Sequence, residues 1–245
     1  MSRRSVYVLV MVGIVVTQCA AGQYRFFATD ATINSHMLDN AVVGYDSYYG
    51  WQYGKGITHC QVRVTSGAKV DGWVGVSAYS DVTMDDGEVT RLLGNEHATL
   101  EMTGGIVDND YGIGDFAVGT ISGGLVRGGL VAQQNANVTV SGGRFGGFIG
   151  GSINFVVRDY AILNLVGTNI EATYRWSQFD SKMYDLSGVL ADGTSLEGMQ
   201  LEVTGNAQYN IKPVPAPASV LFFGTGMLGL ILRRRACRSI MNTDC

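Results

Sequence analysis

The amino-acid sequence predicts an all-β protein whose body is a right-handed parallel β-helix, or solenoid. A signal helix precedes this body and a short transmembrane helix follows it; a β-sandwich is the competing architecture. Three observations carry the expectation. Glycine supplies 34 of the 245 residues and proline three, a composition of short strands and tight turns rather than of a proline-rich linker or collagen. A pattern of alternating apolar residues closed by glycine recurs at nearly constant spacing through the middle. Apolar segments occupy both ends. The length suits one domain of ordinary or slightly large size once those ends are removed. Twelve tyrosines and nine phenylalanines supply enough aromatic bulk for a core and argue against disorder.

Residues 1–22 have the parts of a secretory signal peptide. Arg3 and Arg4 form a positive head, Val6 to Val16 is an almost unbroken apolar run, and Ala20, Ala21 and Gly22 are small. Ala20 and Gly22 stand at the −3 and −1 positions for cleavage before Gln23 by a signal peptidase. The run falls short of the ~20 residues a spanning helix needs, which argues against an uncleaved anchor. A lipoprotein signal through Cys19 wants a small residue just before the cysteine, where Gln18 stands. Residues 23–56 are expected to form an aromatic-rich N-terminal cap. Its rings Tyr45, Tyr48, Tyr49, Trp51 and Tyr53 either pack over the open end of the body or stand exposed as a ligand platform for sugars or apolar groups. Burial or exposure separates the two.

The body, residues 57–176, repeats one pattern: apolar, any, apolar, two of any kind, glycine. It reads Val62-x-Val64-x-x-Gly67, Val82-x-Met84-x-x-Gly87, Leu100-x-Met102-x-x-Gly105, Gly119-x-Ile121-x-x-Gly124 and Val138-x-Val140-x-x-Gly143. Leu163-x-Leu165-x-Gly167 is a sixth copy with its glycine one place early, and the fourth lacks its first apolar residue, although Val118 stands beside it. The second apolar positions are 20, 18, 19, 19 and 25 residues apart. A further apolar residue follows each glycine: Val70, Val89, Ile106, Leu125, Phe145 and Ile170. Alternation is a strand signature because period-two side chains share one face. Glycine just after it supplies a positive-φ turn. Such a unit cannot bury its apolar face alone, but stacked copies can. Residues 177–211 are expected to be capping strands, with a hairpin turn at Leu190-Ala191-Asp192-Gly193-Thr194.

Chemistry is hard to find in this sequence. From Gln23 to Pro217 there are eleven Lys/Arg against twenty Asp/Glu, an acidity that repels phosphate backbones and excludes nucleic acid as a partner. Cys60 is the body's single cysteine, so no disulfide is available within it. Beside His59 it lacks metal-site spacing and is expected to be buried or incidental. Asp108, Asp110 and Asp115 with Gly112 and Gly114 do not match the twelve-residue calcium loop or the nonapeptide calcium repeat, and read as a solvated turn. Asp85-Asp86-Gly87 reads likewise. His36, His59 and His97 show neither ligand spacing nor a triad arrangement. No phosphate loop, dinucleotide fingerprint or nucleophile elbow occurs. The sequence therefore names no catalytic residue, no metal site and no cofactor.

The C-terminus is the most specific segment. Residues 212–235 begin with the motif Val214-Pro215-Ala216-Pro217, whose prolines keep the chain extended and open to a processing enzyme. An apolar stretch over 218–232 follows, ~22 Å long as a helix and nearly long enough to span a thinned bilayer. The basic cluster Arg233, Arg234 and Arg235 is expected to stay on the cytoplasmic side, and residues 236–245 extend beyond it. This order resembles the PEP-CTERM sorting tail of exported bacterial proteins, with Ala216 where the family usually has glutamate. Asn137 to Gly143 is similar to the Ser-Gly-Gly coils of related surface proteins. A plain C-terminal membrane anchor shares most of the same physics. The resemblance implies an exosortase-type processing enzyme as partner and a transient stay in the inner membrane. It also implies a final place on a Gram-negative surface, in a setting rich in exopolysaccharide. Three functions remain open on the sequence: a non-catalytic structural or adhesive protein, a β-helix polysaccharide lyase or hydrolase, and a carbohydrate-binding module. A deep groove with clustered carboxylates and a cation would mark the second, and exposed aromatic residues in a row the third.

Overall fold

The computed structural model describes residues 24–45, 59–148 and 153–214. The chain falls into two units, Met1–Lys212 and Pro213–Cys245. The signal segment, Gln23, four of the five cap rings and the tail from Pro215 onward lie outside the described residues. So do the helices expected at the two ends. Among the described residues no helix is long and apolar enough to cross a membrane. The described residues are all-β, with nineteen strands in one large mixed sheet.

The repeated pattern becomes parallel pairing in constant register. One set of strands comprises β2 (Ala31–Ile33), β5 (Gln61–Val64), β7 (Asp81–Met84) and β9 (Thr99–Met102). The first parts of β12 (Val118–Val126), β14 (Asn137–Phe145) and β16 (Ile162–Gln178) continue it. Ile33, Val64, Met84, Met102, Ile121, Val140 and Leu165 are successive partners along this ladder. All but Ile33 are fully buried, and Ile33 is 6% exposed. Alternation puts these side chains on the core face and the residues between them outside. Full burial of each contributes roughly 1.5–3 kcal/mol.

A second set comprises β3 (His36–Met37) and, after each glycine, the starts of β6 (Lys69–Val76) and β8 (Glu88–Gly94), β10 (Ile106–Val107), and the ends of β12 and β14. Its buried column is Met37, Val70, Val89, Val107, Val126 and Phe145. Ile106 and Leu125, the apolar residues noted after their glycines, are the outward partners of Glu88 and Arg144. Where two apolar residues follow the glycine, the strand's period selects the second. A third set runs through β4 (Asn40–Val43), the ends of β6 and β8, β11 (Tyr111–Ile113), β13 (Leu130–Ala132), β15 (Ile153–Val157) and β18 (Met199–Thr204). β1 (Tyr24–Phe27) pairs with β4.

Local departures from the pattern have local causes. Gly119 stands in the apolar place of the fourth copy, where a Cβ would touch the ring of Tyr111 at 3.4 Å and press on Ile113 at 3.1 Å. Tyr111 is fully buried in that space, and its hydroxyl donates to the Leu100 carbonyl at 3.1 Å. Burial holds its phenol far above the usual value. Val118 faces out and is 45% exposed. Residues 24–45, expected to cap the body, instead carry β1 to β4 and extend its ladders by pairing in parallel with β5 and β6. Their alternation was legible, but His36 stands where the glycine would be.

Among the described residues, antiparallel pairing, which a sandwich would use throughout, joins β16 with β17 (Ser181–Leu190) and β17 with β18 and makes one isolated bridge, Val189 to Ser195. The boundary expected at residue 176 falls inside β16, which leaves the ladder and turns back at Phe179. The hairpin turn appears where expected: Leu190 N–H donates to the Thr194 carbonyl at 2.8 Å. It docks through Asp192, whose carboxylate accepts from Gly143 N–H at 2.7 Å. β19 (Gln208–Pro213) pairs with β16, and Asn137, Asn164 and Asn210 form a side-chain amide ladder at 2.8 and 3.2 Å.

Gly67, Gly87, Gly105, Gly124 and Gly143 all have φ between 80° and 93°. A Cβ at Gly124 would also lie 2.9 Å from the carbonyl carbon and oxygen of Gly104, while one at Gly193 (φ 92°) would meet nothing within 4 Å. Gly193→Ala is therefore expected to cost only the left-handed strain, ~1–2 kcal/mol. Gly124→Ala should cost at least ~3 kcal/mol, because overpacking adds to that strain. Urea unfolding followed by circular dichroism measures both; equal costs would mean that the neighbouring backbone is not what demands glycine at 124.

Candidate functional site

One tight turn recurs between the third set of strands and the next copy of the first. It spans Ser77–Ser80, Asn95–Ala98, Gly114–Ala117, Gln133–Ala136 and Arg158–Ala161, each closed by an N–H to carbonyl bond of 3.1–3.3 Å from its fourth residue to its first. The second residues, Ala78, Glu96, Asp115, Gln134 and Asp159, all have left-handed φ of 52° to 62°. The first four each leave an N–H that the ladder does not use, and the next turn's side chain accepts it. Glu96 accepts from Ala78 N–H at 2.6 Å and Asp115 from Glu96 N–H at 3.1 Å. Gln134 accepts from Asp115 N–H at 2.6 Å and Asp159 from Gln134 N–H at 3.1 Å. The fourth residues, Ser80, Ala98, Ala117, Ala136 and Ala161, are fully buried. They are small because the turn closes directly over the core.

The third residue of each turn projects at its tip. These residues are Tyr79, His97, Phe116, Asn135 and Tyr160. Constant register superposes them, and the first three rings stack: Tyr79 on His97 at 4.8 Å and 1°, His97 on Phe116 at 5.4 Å and 13°. Tyr79, Phe116 and Tyr160 are 62%, 58% and 62% exposed. Beside this column the outward residues of β5, β7 and β9 form an open concavity of about 830 Å³. Its polar lining includes Asp30, Gln61, Arg63, Asp81, Thr83, Thr99 and Glu101. Arg63 donates to the Asp85 carboxylate, which holds that carboxyl below its usual range; Thr103 also donates to it, at 3.1 Å. Asp30 accepts from Gln61 N–H at 2.8 Å. A second opening, about 700 Å³, lies where the Asp192 turn meets Arg144. There Asp192 is already bonded to Gly143 and Thr194.

The residues singled out in the sequence sit elsewhere. Tyr45 is 2% exposed and packs with Phe26 and Val42, so it is a core residue and no platform. Its hydroxyl donates to Glu96 at 2.8 Å. Tyr48, Tyr49, Trp51 and Tyr53 lie outside the described residues, as do Ala20, Gly22 and Gln23. The same holds for Pro215, Ala216, Pro217, Arg233, Arg234 and Arg235, whereas Val214 is described and 37% exposed. Cys60 is fully buried, with its thiol 3.4 Å from both the Phe27 carbonyl and Ser80 Oγ. Asp108 pairs with Arg127, Asp110 lies 3.7 Å from Arg91, and Asp115 caps its neighbouring turn. Among the described residues no three His, Cys, Asp or Glu side chains are grouped to hold a metal.

The ring column was missed, although a signal for it existed. His59, Tyr79, His97, Phe116, Asn135 and Tyr160 each stand three residues before the first position of a repeat copy. No protein-family profile, curated protein or solved structure matches the chain.

Burial, and then Glu96, push the Tyr45 phenol up to about 12. The folded protein thus keeps this proton longer than the unfolded chain, whose tyrosines titrate near ~10. The stability this contributes is complete below about pH 10 and is lost as pH rises from there through about 12. Tyr111 and Tyr209, also raised by burial, add to the same trend. Urea midpoints measured upward from about pH 9 should fall, and Tyr45→Phe should flatten the decline without abolishing it. An unchanged slope in that variant would remove Tyr45 from the account.

Proposed function

We propose that the protein is an exported bacterial surface protein. Its body acts as a non-catalytic structural or adhesive right-handed β-solenoid, processed through a PEP-CTERM-like tail in an exopolysaccharide matrix. The observation that carries the reading of the body is the constant register. Like positions pair in parallel from Ile33 to Leu165, one strand to the next, through six successive pairings. A chain wound in this way presents straight columns of side chains along its length. The five described turns between the third strand set and the first are four residues long, so they raise no loop wall beside the faces they join. Open, repetitive faces suit contact with extended partners. Export draws on Arg3, Arg4, the apolar run and Ala20 to Gln23. Sorting draws on Val214, Pro215, Ala216, Pro217, the apolar stretch 218–232 and Arg233 to Arg235. A signal peptidase, an exosortase-type enzyme and the inner membrane are the partners this route requires.

A second reading, a carbohydrate-binding module, draws on the exposed column of Tyr79, His97 and Phe116 beside a polar concavity. The two readings are compatible, since a matrix protein can hold the matrix.

Mass spectrometry of the protein recovered from its native cell surface tests the route. The expected mass begins at Gln23 and ends between Val214 and Pro217, and replacing Pro215 and Pro217 should abolish the C-terminal cut. An intact mass through Cys245, retained in the inner membrane, would leave an anchored protein and remove the sorting step.

A further inference from the structure

We propose that the open face of β5, β7 and β9, together with the ring column Tyr79, His97 and Phe116 at the turns leading into β7, β9 and β12, binds an extended, uncharged polysaccharide lying across the strands. The proposal rests on the surface-protein reading for its setting, and on the geometry of this face for its ligand.

The face is periodic. Each strand offers one turn-tip residue and two outward side chains: Tyr79, Asp81 and Thr83 on one strand, then His97, Thr99 and Glu101 on the next. Paired strands repeat every ~4.8 Å. A polymer with a short repeat can satisfy such a face unit by unit, which a compact ligand cannot.

The rings are organised in advance. Stacking at 4.8 and 5.4 Å takes up the faces between them and leaves their edges free, with Tyr79 and His97 each two residues before a side chain that lines the concavity, Asp81 and Thr99. The edge of an aromatic ring is the positive rim of its quadrupole. A wall of such edges is apolar in contact and favourable to sugar oxygens. Because the rings already hold one another, binding does not have to freeze them.

The floor supplies hydrogen bonds. Among the described residues, the side chains of Thr83, Thr99 and Glu101 are bonded to no other residue. Two hydroxyls that both donate and accept, next to a carboxylate that accepts, match the hydroxyl array of a sugar chain. Charge then selects among chains. Asp30, Asp81 and Glu101 face the concavity, and its one guanidinium, Arg63, is held by Asp85. A uronate- or sulfate-bearing chain is repelled, and an uncharged one is not.

The experiment is affinity electrophoresis of the secreted protein through gels containing a neutral β-glucan, a neutral galactomannan, alginate or glycol chitosan. Retardation by at least one neutral polymer, and not by alginate, is expected. Tyr79→Ala with Phe116→Ala should weaken it roughly tenfold, as should Thr83→Val with Thr99→Val. Tyr160→Ala, whose ring is separated from the stack by Asn135, should leave it unchanged. Unfolding midpoints of the Thr→Val pair distinguish lost contacts from lost folding. The proposal is overturned by no retardation in either neutral polymer, by retardation in alginate or glycol chitosan alone, or by binding indifferent to both double variants. If binding fails while the surface mass still runs from Gln23 to the proline motif, the surface-protein reading stands without this ligand.

Discussion

Parallel pairing between backbone segments about one repeat apart is the constraint from which the rest of this structure follows. A parallel ladder aligns each residue with its counterpart in the next copy, so whatever one copy needs at a position, every copy needs. The turn after each alternating pair must bend away at the same point. There the backbone of the preceding copy approaches to about 3 Å of any Cβ, and glycine recurs from Gly67 to Gly143. The turn over the core must be tight, and its fourth residue shrinks to alanine or serine. Where a bulkier group enters the core, as with Tyr111, a residue of another strand set that meets it there, Gly119, is glycine.

The second class of turn solves a different problem by a different route. Its left-handed residue is not glycine in any of the five copies described, although glycine would adopt that φ without strain. In four of them, Glu96, Asp115, Gln134 and Asp159, the side chain accepts the N–H of the preceding turn, which a glycine could not do. The contribution of a charge-assisted bond, roughly 1.5–3 kcal/mol, is comparable to the strain of a left-handed residue, ~1–2 kcal/mol. Glu96 goes further and also takes the buried hydroxyl of Tyr45. The relay thus ties the turns to one another along the ladder and ties the N-terminal core to the middle of the body.

On the outside, the same register makes columns of what would otherwise be scattered surface residues. Tyr79, His97 and Phe116 are unremarkable singly; superposed, they form a stacked ribbon beside a polar concavity. Much of the remaining surface consists of cross-strand ion pairs such as Arg63 with Asp85 and Arg127 with Asp108. At half-exposed positions such pairs contribute little to stability but keep long side chains lying flat. At the C-terminal side, β16 leaves the ladder and β17 returns antiparallel. Tyr184 then packs between Tyr174 and Tyr209, at 6.0 and 5.1 Å, covering apolar positions of the last strands.

The all-β class, the spacing of the copies, the inward positions of the first strand set and the Asp192 turn were determined by the sequence alone. Each is local: alternation decides which side chains share a face, and glycine marks where the chain bends. The third strand set was written just as plainly, in Val74-x-Val76, Tyr111-x-Ile113, Leu130-x-Ala132 and Phe155-x-Val157. It is not marked off in the sequence because no glycine recurs after it: Gly114 follows Ile113, but Ser77, Gln133 and Arg158 hold that place after Val76, Ala132 and Val157. Residues 24–45 likewise belong to the ladders without the marker glycine. The choice of Val107 over Ile106 and Val126 over Leu125, the burial of Tyr45 and the stacking of Tyr79 on His97 were decided only by tertiary structure. Each depends on the register between strands about nineteen residues apart, and a one-residue change of register moves every side chain of a strand to its other face.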